Sequence, residues 1–335
     1  MAVIMENKKG IFFTLIAIML MTIFIFVFTP QADISFQRQS KSTEARIGTI
    51  NKYFDDLSTS YLETSLKASA QRTIISLIYY MNETGSYLPD LNNAFKEVII
   101  NGTINKIPID SITKKKLMEN YTLFNLTNKI INISLDTLNV NTTVIFNNAS
   151  VSQTKPWAID ARLNVTILVQ SSVAVWQQDS IVASSLSIEG FYDPYYLVST
   201  NGLYPNRIKK SSVEFNKWNV TLFREHIMNG TYVHWADSNA SSFLMRFTND
   251  MTNSTCCGIE SIVNPNMLST PDQKESYVDY LFWTHVYNSR CEQIFNLSNP
   301  ETGGGIWNEF RFSKLETDHA TRYNITAFDA KKDCQ

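Results

Sequence analysis

The chain has 335 residues, 29 basic against 31 acidic, and a formal net charge of −2. That near balance leaves no field to recruit nucleic acid or an acidic membrane surface. Only 18% of the residues are charged and 12% are aromatic, which excludes a disordered tail and suits a folded, β-containing domain.

Residues 1–10, MAVIMENKKG, read as a short cytoplasmic or leader segment. From Ile11 to Thr29 the chain reads IFFTLIAIMLMTIFIFVFT, without charge, glycine or proline. At about 1.5 Å per residue the run reaches roughly 28 Å, near the hydrocarbon thickness of a bilayer. It predicts a transmembrane helix over 11–29, with the lipid bilayer as its partner. Lys8 and Lys9 before it are matched by Arg38, Lys41 and Arg46 after it, so basic residues do not orient the span.

The sequons do orient it. Asn-x-Ser/Thr occurs at Asn82, Asn101, Asn120, Asn125, Asn132, Asn141, Asn148, Asn164, Asn219, Asn229, Asn239, Asn253, Asn296 and Asn324, always after the apolar run. These fourteen glycosylation candidates predict a cytoplasmic N-terminus and a glycosylated domain outside the cell.

Lys8-Lys9-Gly10 followed by Ile11-Phe12-Phe13-Thr14-Leu15 resembles the class III signal of type IV pilins and their archaeal relatives. The resemblance implies cleavage between Gly10 and Ile11, with the apolar helix kept on the mature protein. Leu15 then stands at the fifth mature position, where many pilins carry a Glu that pairs with a neighbour's N-terminal amine. That departure bears against polymerisation into a filament.

Residues 30–82 are expected to form a long helical stalk or spine. Ile47, Ile50, Phe54, Leu57 and Tyr61, then Leu66, Ala70, Ile74, Ile78 and Met81, make an apolar stripe at helical spacing. Asp55, Asp56, Glu63 and Lys67 between them read as a solvated face.

Residues 83–335 are expected to be an extracellular α+β domain, mainly antiparallel in its sheet. A polar turn over 84–88 ends the spine, and Pro89-Asp90 opens a helix through Phe95 and Val98. Asp110 or Ser111 is expected to cap another helix running towards Ile130, with Lys114, Lys115 and Lys116 on solvated surface. The sheet is expected to begin near Ile131, where Ile131, Ile133 and Leu135 alternate with polar residues, and to continue over Thr143–Phe146. Ile159, Ala161, Leu163, Val165, Ile167 and Val169 share one face of a half-buried strand, with Asn164 on the other. Val173 and Val175 keep that parity, so the strand continues or turns back there, and 181–188 reads as one more. Gly190-Phe191-Tyr192-Asp193-Pro194-Tyr195-Tyr196 is a turn whose aromatics are expected to pack onto the sheet.

Cys256, Cys257, Cys291 and Cys334 are an even set for an oxidising compartment. The adjacent pair is poorly placed for a mutual bond, so two long-range bridges to Cys291 and Cys334 are expected. No metal spacing supports the alternative, and the glycines at 303–305 lack the residues of a phosphate loop.

Ser187-Ile188-Glu189-Gly190 with Asp193-Pro194, then Cys257-Gly258-Ile259-Glu260-Ser261-Ile262-Val263, then Val278-Asp279-Tyr280 resembles a family of archaeal membrane-anchored surface proteins with pilin-like N-termini. The resemblance implies a location and an architecture, and no catalytic residues. Asp193, Glu260 and Asp279 could be the paired carboxylates of a glycoside hydrolase, and read more readily as turn caps and ion pairs. His226, His234, His285 and His319 show no metal-ligand spacing, and no nucleophile motif is present. The sequence thus predicts a single-pass surface protein without enzymatic activity or cofactor, structural or adhesive in role, with a pilin-like or minor pilin-like subunit as its specific form. Its partners would be copies of itself or other pilin-like subunits. The alternative is an extracellular ligand-binding module that docks to another membrane protein.

Overall fold

The computed structural model describes residues 6–236, 239–264, 267–268, 275–283, 292–296, 312–315, 317–324 and 331–333. Helix α1 (Glu6–Asp56) runs into a wider π turn (Leu57–Tyr61) and then helix α2 (Leu62–Thr84). Phe12 to Ile25 are exposed on every side of α1, as is Val27. Among the described residues, no helix is long and apolar enough to cross a membrane.

The apolar stripe falls where the spacing puts it. Ile50, Phe54, Leu57, Leu66, Ala70, Ile74, Ile78 and Met81 are buried against the rest of the fold, but Ile47 and Tyr61 are half-buried, and after the π turn Leu62 takes the buried position instead. Small polar residues share that face, and two of them tie it to neighbouring loops. Ser69 Oγ donates to the Tyr121 carbonyl at 2.6 Å, and Thr73 Oγ1 lies against Met118 Sδ. Gly85 ends the helix in the left-handed region at φ 62°, a conformation that costs other L-residues about 1 kcal/mol or more.

Helix α3 (Leu91–Asn101) is capped by Asp90, whose carboxylate accepts from Asn93 N. A two-stranded hairpin follows, β1 (Thr103–Ile104) and β2 (Ile107–Pro108), and then the short helix α4 (Ile109–Thr113). The helix expected from Asp110 to Ile130 is therefore two elements. Lys114 turns left-handed at φ 54°, and the Asp110 carboxylate accepts from the backbone of Leu117, Met118 and Glu119 to hold a loop. Lys114, Lys115 and Lys116 are exposed, as expected.

Helix α5 (Leu123–Leu138) starts at Thr122, whose hydroxyl accepts from Asn125 N. It takes in Ile131, Ile133 and Leu135, which the alternation had placed in a strand. Leu123, Thr127 and Ser134 recur at helical spacing and bury, whereas Ile133 and Leu135 stay exposed. A capped helix with one buried face outweighs three alternating residues.

The main sheet is β3 (Asn141–Lys155), β4 (Ala158–Gln170) and β5 (Val175–Ser187), antiparallel in the order β3-β4-β5. All six predicted inward residues of β4 are at most 1% exposed. After Gln170 the chain turns back through Ser171, whose amide donates to the Ala174 carbonyl. Helices α2 and α3 cover the inner face of this sheet.

The C-terminal part begins with helix α6 (Pro194–Ser199) and helix α7 (Val220–Asn229). Beyond them come β6 (Ile262–Val263), β7 (Glu275–Val278), α8 (Asp279–Phe282), β8 (Glu292–Asn296), β9 (Phe312–Leu315), α9 (Thr317–Arg322) and β10 (Lys331–Asp333). Their strands form a second sheet in the order β10-β8-β9-β7-β6, parallel only between β7 and β9. The glycines at 303–305 lie outside the described residues.

Candidate functional site

Among the described residues, the buried charged groups converge in one place. Asp193 caps α6, its Oδ1 accepting from Tyr195 N at 2.9 Å, and Pro194 suits the first helical turn. Arg246 sits on a single 3-10 turn (Met245–Thr248) inside an otherwise apolar run. Asp279 opens α8 directly after β7, its amide donating to the Ser261 carbonyl beside β6. Arg246 Nη1 donates to Asp193 Oδ2 at 2.6 Å and to Asp279 Oδ2 at 2.7 Å, and Nη2 donates to the Ile259 carbonyl. Tyr232 Oη adds a bond to Asp193 Oδ2 at 2.8 Å and accepts one from Asn206 Nδ2.

A third carboxylate lies beside this ion triad. Val233 and Glu260 exchange backbone hydrogen bonds, which fixes Glu260 in the core. Its Oε1 accepts from Trp235 Nε1 at 2.9 Å and from Tyr323 Oη at 3.0 Å, and its Oε2 lies 3.2 Å from His319 Nε2. His319 and Tyr323 are four residues apart, and the Tyr323 amide donates to the His319 carbonyl, so one helical face delivers both groups. Tyr280 Oη completes the contact at 3.2 Å from His319 Nε2.

All three carboxylates and Arg246 are fully buried, so their charges are set by one another. Burial disfavours the Arg246 charge, but Asp193 and Asp279 outweigh it and raise its pKa well above the usual range. Burial pushes Asp279 up to about 6 despite the guanidinium beside it. Glu260 goes the other way. Burial opposes its charge, yet the His319 ring and the Trp235 and Tyr323 donors hold it below the ordinary carboxylate value. Burial lowers His226 to about 4, against the pull of Glu260, so its ring is neutral and its Nδ1 pairs with Thr231 Oγ1 at 2.6 Å. Tyr232 and Tyr323 are raised by burial and stay protonated donors. A buried charge that is paired on both sides is a structural clamp, because breaking it strands the partner.

Asp193, Glu260 and Asp279 are thus brought together, but as ion pairs and caps closed off from solvent. The sequence reading did not find Arg246, Tyr232, Trp235 or Tyr323. A lone arginine in Phe243-Leu244-Met245-Arg246-Phe247 was the available signal, since an unpaired cation does not belong in such a run. His234 lies apart from His226, its Nδ1 2.6 Å from the Gly258 carbonyl. His285 lies outside the described residues. Among the described residues no group of side chains has the make-up of a metal site.

On the solvent side of the clamp, Tyr232 and Trp235 line an open groove of about 270 Å³ with Trp157, Lys210 and His234. Lys210 Nζ stands 5.6 Å from the centre of the Trp157 ring. The aromatics after Gly190 do not join this surface. Phe191, Tyr195 and Tyr196 are buried, but their ring contacts are with Phe243, Tyr87, Tyr232 and Trp283 and not with the sheet on which they were expected to pack.

The cysteine expectation is corrected. Cys256 and Cys257 are bonded to each other, within a turn whose Cα atoms are 3.7 Å apart. That spacing is shorter than most bridges span, yet the turn over 255–257 brings the two sulfurs together. Cys291 and Cys334 lie outside the described residues. Gly10 and Ile11 lie within α1.

Among the described sequon side chains, Asn101, Asn120, Asn132, Asn141, Asn148, Asn164, Asn219, Asn229, Asn239, Asn253 and Asn324 are exposed, whereas Asn82 and Asn125 are half-buried. Asn125 Nδ2 donates to the Glu119 carbonyl and Asn324 Nδ2 to the Trp218 carbonyl, so both amide nitrogens are engaged. Asn296 lies on β8. Comparison with protein-family models, with curated proteins and with solved structures finds no match for this chain.

Proposed function

We propose that the chain is a membrane-anchored extracellular surface protein with a structural or adhesive role, in the form of a pilin-like or minor pilin-like subunit. One observation carries the reading. Phe12, Phe13, Leu15, Ile18, Leu20, Met21, Phe24 and Ile25 stand exposed around the full circumference of a helix that leads directly into the packed spine. Water disfavours such a surface at about 25 cal/mol per Å², whereas lipid does not. The described side chains cover less than a full span, and the sequence extends the apolar run from Ile11 to Thr29.

The clamp supports the non-enzymatic part of the reading. Its carboxylates are spent on Arg246, His319 and helix caps. The groove beside Trp157 favours the second reading, a ligand-binding module that docks to another membrane protein. It is open and smaller than most small-molecule sites.

The test is mass spectrometry of the protein from isolated cell envelopes, after carbonate washing. Retention in the membrane with Ile11 as first residue supports a pilin-like anchor, whereas retention with an intact Met1 keeps the anchor and removes the pilin-like form. Release into carbonate, or a mature start near Asp33, sinks the proposal.

A further inference from the structure

Two of the sequons meet across the sheet. Asn148 on β3 and Asn164 on β4 are directly opposed residues, just past a bulge that leaves Asn147 unpaired between Phe146 and Asn148. Both side chains are exposed, and both stand on the outer face, because Ala149, Leu163 and Val165 beside them point into the core. Opposed side chains in an antiparallel pair have Cβ atoms about 4.5–5.5 Å apart and rise side by side from the sheet.

We propose that Asn148 and Asn164 are alternative acceptors for a single N-linked glycan, so that each molecule carries a sugar chain on one of them and not on both. The proposal rests on the reading that this domain is outside the cell and glycosylated. In the transfer, an amide Nδ2 displaces the phosphate oxygen at the anomeric carbon of a polyprenyl-phosphate-linked oligosaccharide. The C–N bond forms as the C–O bond breaks, the polyprenyl phosphate leaves with the electron pair, and the amide proton passes to a base of the transferase. A pyranose ring on one amide fills the space through which the other would have to be approached.

The surroundings leave little room for either chain to lean aside. Asn164 is flanked on β5 by its other partner, Ile181, which is 73% exposed and stands up from the same face. Two residues along β4, Thr166 Oγ1 accepts from Asn147 Nδ2 at 3.0 Å and donates to Asp179 Oδ1. Those bonds fix the side chains around the opening. The third sequon on this face, Asn141, is seven positions along β3, roughly 23 Å away at strand rise, and competes with neither.

The experiment measures site occupancy by glycopeptide mass spectrometry on the full chain from its native cells, alongside Asn148→Gln, Asn164→Gln and Thr166→Val. Thr166→Val removes the second sequon while leaving Asn164 in place. We expect the occupancies of Asn148 and Asn164 to sum to no more than one chain per molecule. Loss of either sequon should raise the occupancy of the survivor, with Asn253 unchanged as an internal standard. A sum clearly above one overturns the proposal, as does a survivor that does not respond. Occupied Asn253 with both sheet sites empty also overturns it while leaving the surface reading standing. Absence of sugar at every sequon defeats both.

Discussion

Asp193 and Arg246 are 53 positions apart in the chain, yet a carboxylate oxygen of one lies 2.6 Å from a guanidinium nitrogen of the other, with both side chains wholly buried. The same nitrogen holds Asp279 at 2.7 Å. One cation therefore ties the cap of α6, the start of α8 and, through the Ile259 carbonyl, the approach to β6.

Removing that cation strands two carboxylates in the core. Arg246→Met is expected to lower stability by about 3–5 kcal/mol, the usual result of breaking a buried pair from one side. Asp193→Asn keeps the shape and the cap acceptor and should cost less. Urea unfolding of the full chain in detergent, followed by tryptophan fluorescence, separates the two. Equal losses would mean that the ion pairing contributes little.

The pH response of the wild-type protein between pH 4.5 and pH 6 should be shallower than that of a variant lacking the Asp279 carboxylate. Asp279 has an ordinary pKa of 3.8 and a folded value of about 6, so it binds its proton more readily when folded and stability falls as pH rises through that window. His226 moves from 6.5 down to about 4, so it binds its proton less readily when folded and stability rises with pH over its window. The two slopes therefore oppose one another between about pH 4 and pH 6. Asp279→Asn should leave the histidine slope alone, and the urea midpoint should then climb from pH 4.5 to pH 6.5. An unchanged profile would show that one of the two groups titrates normally.

The bond between Cys256 and Cys257 predicts a specific peptide. Non-reducing digestion should yield a fragment two mass units lighter than the dithiol and linked to no other part of the chain through these residues. A ring closed between neighbours restrains the unfolded chain little, so Cys256→Ser with Cys257→Ser should cost only about 1 kcal/mol by the loop-entropy relation. Cross-linked peptides joining either residue to Cys291 or Cys334 would refute this pairing.

Gly258 sits where a second strand of backbone passes. A Cβ added there would lie 2.3 Å from the Ala240 carbonyl oxygen, so Gly258→Ala is expected to force the Ser242–Gly258 bridge apart. The loss should reach about 1–3 kcal/mol, as for other overpacked core sites, and Gly48→Ala, which meets nothing within 4 Å, is the control.

Periodic features were legible in the sequence, and convergent ones were not. The stripe from Ile50 to Met81 and the alternation from Ile159 to Val169 each repeat enough times for burial to follow from spacing alone. Ile131, Ile133 and Leu135 were too few to decide between periods, and the Thr122 cap eight residues before Ile130 was the better guide. The clamp drew its members from turns far apart in sequence, and no local pattern announces that Arg246 meets Asp193 and Asp279. Its carboxylates stand out as residue types, while their role depends on partners that only tertiary folding supplies.

The π turn at Leu57–Tyr61 accommodates one residue more than an α-turn would. Each residue of a helix accounts for about 100° of rotation, so that single extra position sets the azimuth at which everything above it faces. Shortening this turn by one residue would swing the Leu62–Met81 face away from its sheet or, if the head holds its grip, twist the lower shaft by the same angle. The bearing of the head about its own stem is thus fixed within five residues.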